Sequence, residues 1–76
     1  MEEFFDLTIE SLDTQSPELT PGQYESCKFL KCDFSNKSLK EITFMETSFD
    51  SCNLSSAKIT LSSWKEVEFK NCKIIG

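Results

Sequence analysis

A five-residue period of apolar side chains constrains the fold of this chain more than any other feature. When residues 17–76 are divided into consecutive blocks of five, the third position of all twelve blocks is apolar or aromatic. Because apolar residues make up only 38% of the sequence, chance gives such a run on the order of once in 10⁴ sequences or less. These central residues, which we predict to form the core, are Leu19, Tyr24, Phe29, Phe34, Leu39, Phe44, Phe49, Leu54, Ile59, Trp64, Phe69 and Ile74.

The first position of each block is also restricted, because it is mostly small or β-branched and contains all four cysteines. The other three positions are mostly polar, so two of every five residues are expected to point inward. This period matches neither a helix, at about 3.6 residues, nor a flat strand, at about 2, but a chain that turns a corner in every block. The predicted corner residues are Cys27, Cys32, Ile42, Thr47, Cys52, Ala57, Ser62, Val67 and Cys72.

A second, longer period groups four consecutive blocks into one coil. Successive strands of a sheet lie about 4.8 Å apart, so side chains separated by four blocks are expected to stack in columns inside a parallel β-helix. The recurring sets are Tyr24–Phe44–Trp64, Phe29–Phe49–Phe69 and Cys32–Cys52–Cys72.

The block pattern resembles that of the pentapeptide-repeat family, in which a small residue is followed by Asp or Asn, then Leu or Phe, then two variable residues. The best local matches are CDFSN at 32–36 and CNLSS at 52–56, and the resemblance extends over residues 17–76. It implies an all-β fold, a right-handed quadrilateral parallel β-helix with about three coils of four pentapeptides. The four-block period agrees with that expectation.

Residues 1–16 keep the period only weakly, and we interpret them as an N-terminal capping strand or a degenerate first coil. Phe5, Leu7 and Ile9 alternate with polar residues, which favours a strand. A short capping helix is the alternative, because Phe5, Ile9 and Leu12 also have helical spacing.

Lys37 occupies a first position, where a charge does not fit an inward corner. We expect its amine to reach solvent at a distorted corner near one end of the stack.

The repeat pattern continues to Gly76 without a capping sequence. An open last coil exposes apolar side chains and an unpaired strand edge, so two explanations remain open. Either the β-helix is truncated at its C-terminus and belongs to a longer repeat protein, or the ends of two copies pair in a homodimer. For self-association we predict contacts at Cys72, Ile74 and Ile75.

The sequence predicts no catalytic, metal or cofactor site. The cysteines fall at positions 27, 32, 52 and 72, and neither a C-x-x-C pair nor a histidine accompanies them. We therefore interpret them as small buried thiols at corners. The carboxylates of the coils are expected on flat outer walls, where no cleft shifts their pKa.

The net charge of −5 is unevenly distributed along the chain. Residues 1–26 contain seven acids and no Lys or Arg, whereas residues 27–76 contain eight lysines and six acids, a net charge of +2. No stretch of 18 apolar residues exists, and the N-terminus lacks the basic segment of a signal peptide. We expect a cytoplasmic protein with no membrane contact.

Two function hypotheses follow. The first is a structural or protein-interaction rod without catalytic activity. The second comes from the resemblance, because some pentapeptide-repeat proteins of bacteria imitate DNA, bind DNA gyrase and other type II topoisomerases, and protect them from quinolones. Such mimicry needs a continuous acidic face, which a mixture of Lys, Asp and Glu lacks. Direct nucleic-acid binding is the least favoured, because the chain has no Arg and no basic cluster.

Overall fold

Every regular element of the described chain is a β-strand. The computed structural model describes residues 2–13, 15 and 18–74. Its strands run parallel in about three turns, which confirms the predicted all-β parallel β-helix. No helix in this part of the chain is long and apolar enough to cross a membrane. The strands are β1 (Glu2–Phe5), β2 (Thr8–Glu10), β3 (Gly22–Glu25), β4 (Lys28–Leu30), β5 (Ile42–Met45), β6 (Ser48–Asp50), β7 (Ser63–Lys65) and β8 (Glu68–Lys70).

Four walls enclose the core. Wall 1 is the sheet of β1, β3, β5 and β7, and wall 2 is the sheet of β2, β4, β6 and β8. Wall 3 is held by parallel bridges that join Asp33 to Asn53 and Asn53 to Lys73, and wall 4 by a bridge between Ser38 and Lys58. The chain therefore passes one block of five along each wall before it returns to the next coil.

The predicted columns of side chains are present in the register of the strands. Tyr24 lies opposite Phe44 in wall 1, and Phe29 lies opposite Phe49 in wall 2. The rings of Phe29 and Phe49 stack at 4.8 Å with an interplanar angle of 9°. The aromatic columns of neighbouring walls also touch, since Phe44 meets Phe49 edge to face at 5.2 Å.

The core is most complete in the middle coils. The central residues Leu19 and Trp64 and the corner residues Ala57, Val67 and Cys72 are only partly buried, and they pack against that core. The predicted inward residues that are buried are Tyr24, Cys27, Phe29, Cys32, Phe34, Leu39, Ile42, Phe44, Thr47, Phe49, Cys52 and Leu54.

Three residues predicted for the core are exposed instead. Ile59, Phe69 and Ile74 expose 54%, 42% and 60% of their surface, so the prediction of burial is wrong for them. They point toward the axis as expected, but they belong to the last turns of the described chain. A side chain in a column is covered from above and below, and these three have a neighbouring coil on one side only.

Every corner of the described residues except that at Pro21 and Gly22 is made by a residue in the left-handed backbone region. Twelve non-glycine residues have φ between 47° and 61°, and they recur at the fifth position of the blocks. Eight of them, from Asp6 to Ser51, donate an amide hydrogen bond to the next coil, as Ser26 N does to the carbonyl of Met45 at 2.9 Å and Ser51 N to that of Lys70 at 2.8 Å. Left-handed backbone costs about 1–2 kcal/mol per residue, and this regular bond between coils offsets it.

The corner at Pro21 and Gly22 is built differently. A proline ring locks φ at a negative value, so Pro21 cannot adopt the left-handed conformation that the other described fifth positions share. Gly22 makes the turn with φ of 155°. A side chain there would overlap the carbonyl oxygen of Glu2 in the first coil. Glycine is therefore required both by its backbone conformation and by the close approach of β1.

The N-terminal residues form strands and not a helix. β1 pairs in parallel with β3, and β2 pairs in parallel with β4, in the same register as the later coils. The helical alternative for this stretch is therefore wrong. Thr14, Ser16 and Pro17, which include the predicted boundary between the two segments, lie outside the described residues.

The sequence predicted Lys37 near one end of the stack, and this prediction is wrong. Lys37 lies in the second coil, and its carbonyl oxygen accepts a bond from Lys58 N of the third coil at 2.9 Å. The side chain is only 8% exposed. The preceding corner is regular, with φ of 60° at Asn36, so the predicted distortion is also wrong. A long aliphatic stem fits here because Ala57 in the next coil leaves space, and Asp33 provides a negative charge nearby.

Candidate functional site

Three of the four cysteines, Cys32, Cys52 and Cys72, form a column along one corner, in which the first two are buried and Cys72 is partly buried. Cys52 lies between Cys32 and Cys72, and each thiol points at backbone carbonyl groups. Cys52 Sγ lies 3.4 Å from the carbonyl oxygens of both Phe29 and Asp50. All four cysteines are free thiols. A thiol packs like a small apolar group but is also a weak hydrogen-bond donor. The carbonyl oxygens therefore provide acceptors for the thiols inside an otherwise apolar corner.

Burial makes the central thiol a poor nucleophile. It raises the pKa of Cys52 to about 12, and the neighbouring thiols of Cys32 and Cys72 add to the rise. The reactive form of cysteine is the thiolate, so Cys52 is not suited to nucleophilic or redox catalysis. No group of three or more His, Cys, Asp or Glu side chains in the described chain is placed to hold a metal ion.

The high pKa of Cys52 should slow the chemical modification of its thiol. At pH 8, iodoacetamide should react with Cys52 at least about 10³-fold more slowly than with an unfolded cysteine, because the thiolate fraction falls by that factor between a pKa of about 8.5 and about 12. Peptide mass spectrometry at several times measures the rate. Cys72 is the internal control, since it is only partly buried and should react first. Equal rates at Cys52 and Cys72 would contradict this account.

Wall 3 contains a repeated side-chain turn. Asp33 Oδ1 accepts a hydrogen bond from Ser35 N at 2.9 Å, and Asn53 Oδ1 accepts the equivalent bond from Ser55 N at 3.0 Å one coil later. Hydrogen bonds from Ser35 lower the pKa of Asp33, and the positive charge of Lys37 lowers it further. The carboxylate thus supports the turn and balances the buried lysine.

The lowered pKa predicts a specific loss of stability in acid. A group whose pKa is lower in the folded state stabilises the fold above its unfolded pKa, near 3.8 here, and that contribution is lost as the pH falls through the folded value. Asp33→Asn should keep the turn, as Asn53 does, and should flatten the dependence of unfolding free energy on pH below about 4. Urea titrations between pH 2 and pH 6 measure this. If the unfolding free energy of Asp33→Asn depends on acidic pH as strongly as that of the wild-type chain, Asp33 is not the cause of the loss of stability in acid.

Wall 1 is acidic. Its outward positions and the corner that follows each strand hold five carboxylates and one lysine, a net charge of −4. These positions face solvent because Tyr24 and Phe44 alternate with them and are buried. The charged residues are Glu3, Asp6, Glu25, Glu46, Glu66 and Lys65.

Wall 2 carries no net charge at the corresponding positions. Its outward positions and following corners hold three carboxylates and three lysines: Glu10, Asp50, Glu68, Lys28, Lys31 and Lys70. The opposite charges of Asp50 and Lys70 lie at paired positions of β6 and β8. The segregation of charge is thus a difference between walls, and a count along the chain does not reveal it.

The last turns of the described chain surround an apolar concavity of about 410 Å³. Ile74, predicted for self-association, lines it, whereas Cys72 is partly buried in the adjacent corner. Ile75, the third residue of that prediction, lies outside the described residues. The apolar residues that line the concavity are Leu54, Ala57, Ile59, Trp64, Phe69 and Ile74.

The stacked parallel strands and the four walls define the chain as a parallel β-helix protein. No protein-family model matches the chain, and no curated protein matches it.

Sequence reasoning missed two features of these surfaces. The first is the acidic wall. Its signal was that Asp6, Glu46 and Glu66 are separated by multiples of 20 residues, and that Glu25 occupies the neighbouring position of the same wall. The second is the left-handed corner. Its signal was the fifth letter of each block, which lacks β-branched and aromatic residues throughout the chain.

Proposed function

We propose that this chain is a pentapeptide-repeat protein that acts without catalysis in the cytoplasm, as a rigid body that binds a protein partner through wall 1. The net charge of −4 on that wall carries the proposal. The partner surface that complements it is basic. The high pKa of the Cys52 thiol supports a non-enzymatic role, because it disfavours the thiolate that a nucleophile at this position requires.

Rigidity makes such a wall suitable for recognition. Glu25 lies on β3, and Glu46 occupies the corner after β5, where its amide bonds to the carbonyl oxygen of Lys65 at 3.0 Å. Hydrogen bonds between coils thus fix both positions, and successive coils lie about 4.8 Å apart. Charges at fixed positions steer a complementary surface and discriminate against wrong partners, and they lose little conformational entropy on binding.

Binding of DNA gyrase, or another type II topoisomerase, is the second candidate, and the same wall favours it. DNA mimicry needs negative charge that is continuous along one face, and wall 1 has acids in each of its four strands or corners, at Glu3, Glu25, Glu46 and Glu66. A protein that competes with DNA for a basic saddle of the enzyme would protect it from quinolones.

Charge reversal on two walls tests the general proposal. Proteins retained from cell extract by the wild-type chain should be lost with Glu25→Lys/Glu46→Lys, because two repulsive charges replace two attractive ones. The matched control is Lys28→Glu/Lys31→Glu, which reverses two exposed charges on wall 2 and should leave retention unchanged. Quantitative mass spectrometry compares the three samples. Equal loss with both variants would remove wall 1 as the specific surface.

A supercoiling assay with purified gyrase tests the second candidate. The wild-type chain should inhibit supercoiling in proportion to its concentration and should reduce quinolone-induced cleavage. Glu25→Lys/Glu46→Lys should weaken inhibition by about 10-fold or more, as expected for the loss of close charge pairs. Supercoiling that is unaffected by a large excess of wild-type chain would eliminate this candidate and leave the general one standing.

A further inference from the structure

Both ends of the described β-helix expose apolar side chains. At the N-terminal end, Leu7 is 40% exposed, and Phe4 and Ile9 are partly buried. At the C-terminal end, Phe69 is 42% exposed and Trp64 is partly buried. The strands at these ends, β1 and β2 on one side and β7 and β8 on the other, are sheet edges.

We propose that the C-terminal end of one copy stacks on the N-terminal end of a second copy, head to tail, so that the β-helix continues from chain to chain. The occupant of the apolar end is thus a second copy of this chain. The inference does not depend on the partner of wall 1, because the contact leaves that wall exposed.

The columns of the two copies match in this arrangement. The strands of each wall repeat at intervals of four blocks, so the first coil of a second copy takes the position one coil beyond β7 and β8. Phe4 of the second copy then covers Trp64, and Ile9 covers Phe69. Within one chain, Phe4 already stacks on Tyr24 at 4.6 Å, so one face of this ring packs on an adjacent coil and its other face is available to a second copy.

The backbone edges match in the same arrangement. All sheet pairing in the described chain is parallel, and the strands of wall 2 keep one register from β2 to β8. Head-to-tail stacking extends this ladder with β1 and β2 of the second copy, whereas pairing of two like ends reverses the strand direction at the contact.

Charge distinguishes the head-to-tail contact from the pairing of like ends. The first coil carries six acids, Glu2, Glu3, Asp6, Glu10, Asp13 and Glu18, and no lysine. Residues 57–76 carry four lysines and two acids, a net charge of +2. Two N-terminal ends therefore repel each other strongly, and two C-terminal ends repel weakly, whereas opposite ends attract.

Individual columns reproduce this complementarity. Lys70 belongs to the column of Glu10, and Lys73 to the column of Asp13, so each lysine meets an acid of the second copy. Glu66 meets Asp6 in the same way, which is one like-charged contact against two attractive ones. The balance of these columns favours the head-to-tail contact.

The size of the end sets the strength of the contact. The chain measures 26 × 21 × 21 Å, so an end covers about 400 Å² per copy, roughly half of a standard interface. We therefore expect association at about 0.1–1 mM protein and not at low concentration. Each stacked copy leaves an unpaired end that can bind a further copy. The assembly is therefore open, and its mean mass keeps rising with protein concentration.

A charge swap tests the polarity of stacking. The C-end variant is Lys70→Glu/Lys73→Glu, and the N-end variant is Glu10→Lys/Asp13→Lys. Sedimentation equilibrium between 0.02 and 1 mM should show each variant associating at least about 10-fold more weakly than wild type, since attraction becomes repulsion. An equimolar mixture should recover the lost association, because each reversed end then meets its complement. Circular dichroism at 0.02 mM confirms that both variants are folded.

The control is Lys28→Glu/Lys31→Glu, which has the same change of charge as the C-end variant but lies in the second coil, away from the ends. It should associate as wild type does, and raising the salt concentration should weaken wild-type association. Two results would overturn the proposal: a wild-type chain that stays monomeric at 1 mM, or a closed dimer that either end variant forms alone as well as wild type does.

Discussion

Phe49→Ala is expected to lower the free energy of unfolding by about 3–5 kcal/mol, the usual cost of removing a buried phenylalanine. Phe49 is fully buried, and it is surrounded by other aromatic rings. Phe29 stacks on it at 4.8 Å from one side and Phe69 at 5.4 Å from the other. A cavity at this point is lined by several large rings, which cannot collapse into it without breaking the columns of neighbouring coils.

The loss should be close to the whole stability of the domain, since small domains have little more than about 5 kcal/mol in total. We therefore expect the variant to be largely unfolded at 25 °C. Urea titration followed by far-ultraviolet circular dichroism, at a concentration where the chain is monomeric, measures the change.

Phe69→Ala is the matched control in the same column. Phe69 has Phe49 beneath it but is 42% exposed, so its truncation should cost less than half as much as that of Phe49. Similar losses for the two variants would show that Phe69 is covered in solution. If the loss for Phe69 rises with protein concentration, head-to-tail stacking provides the cover.

Gly22→Ala is expected to destabilise the fold by about 2–5 kcal/mol. The φ of 155° at Gly22 is unfavourable for any residue with a Cβ, at a cost of about 1–3 kcal/mol. The added methyl group also overlaps the carbonyl oxygen of Glu2, and a backbone atom in a paired strand cannot move aside cheaply. Overpacking of this kind adds about 1–3 kcal/mol.

The defect should be concentrated in the first coil. β1 pairs with β3 at Glu2 and Gly22, so a shift of Glu2 disrupts the register of this edge strand. Hydrogen exchange should accelerate at residues 2–5 and remain slow in β5. The control is Gln23→Ala, because Gln23 is the next residue of the same strand and points outward. It should change stability by less than about 0.5 kcal/mol. Equal effects of the two substitutions would contradict the role assigned to the glycine.

The sequence alone determined the architecture and the columns of the core. Each block of five fixes locally which residue points inward, and four blocks return the chain to the same wall, so the stacking of Phe29 under Phe49 follows from spacing. The central and corner residues of the middle coils are buried because every one of them has a coil above and below.

Only the tertiary structure decided the properties that depend on a neighbour or on the end of the stack. Ile59 and Ile74 follow the same pattern as Leu39 and Phe34, yet they are exposed because no described coil covers them. Lys37 breaks the pattern yet is buried, because Asp33 and the small Ala57 accommodate it. A repeat pattern specifies direction, but burial requires both neighbours.

The charge of the surface also required three dimensions. Consecutive blocks lie on different walls, so a sum along residues 27–76 averages four walls and hides an acidic one. Glu46 and Glu66 are four blocks apart in sequence and adjacent on wall 1, whereas Lys28 and Glu25 are near in sequence and on different walls. The sequence therefore determined the fold through local spacing, and the winding of the chain decided which charges act together.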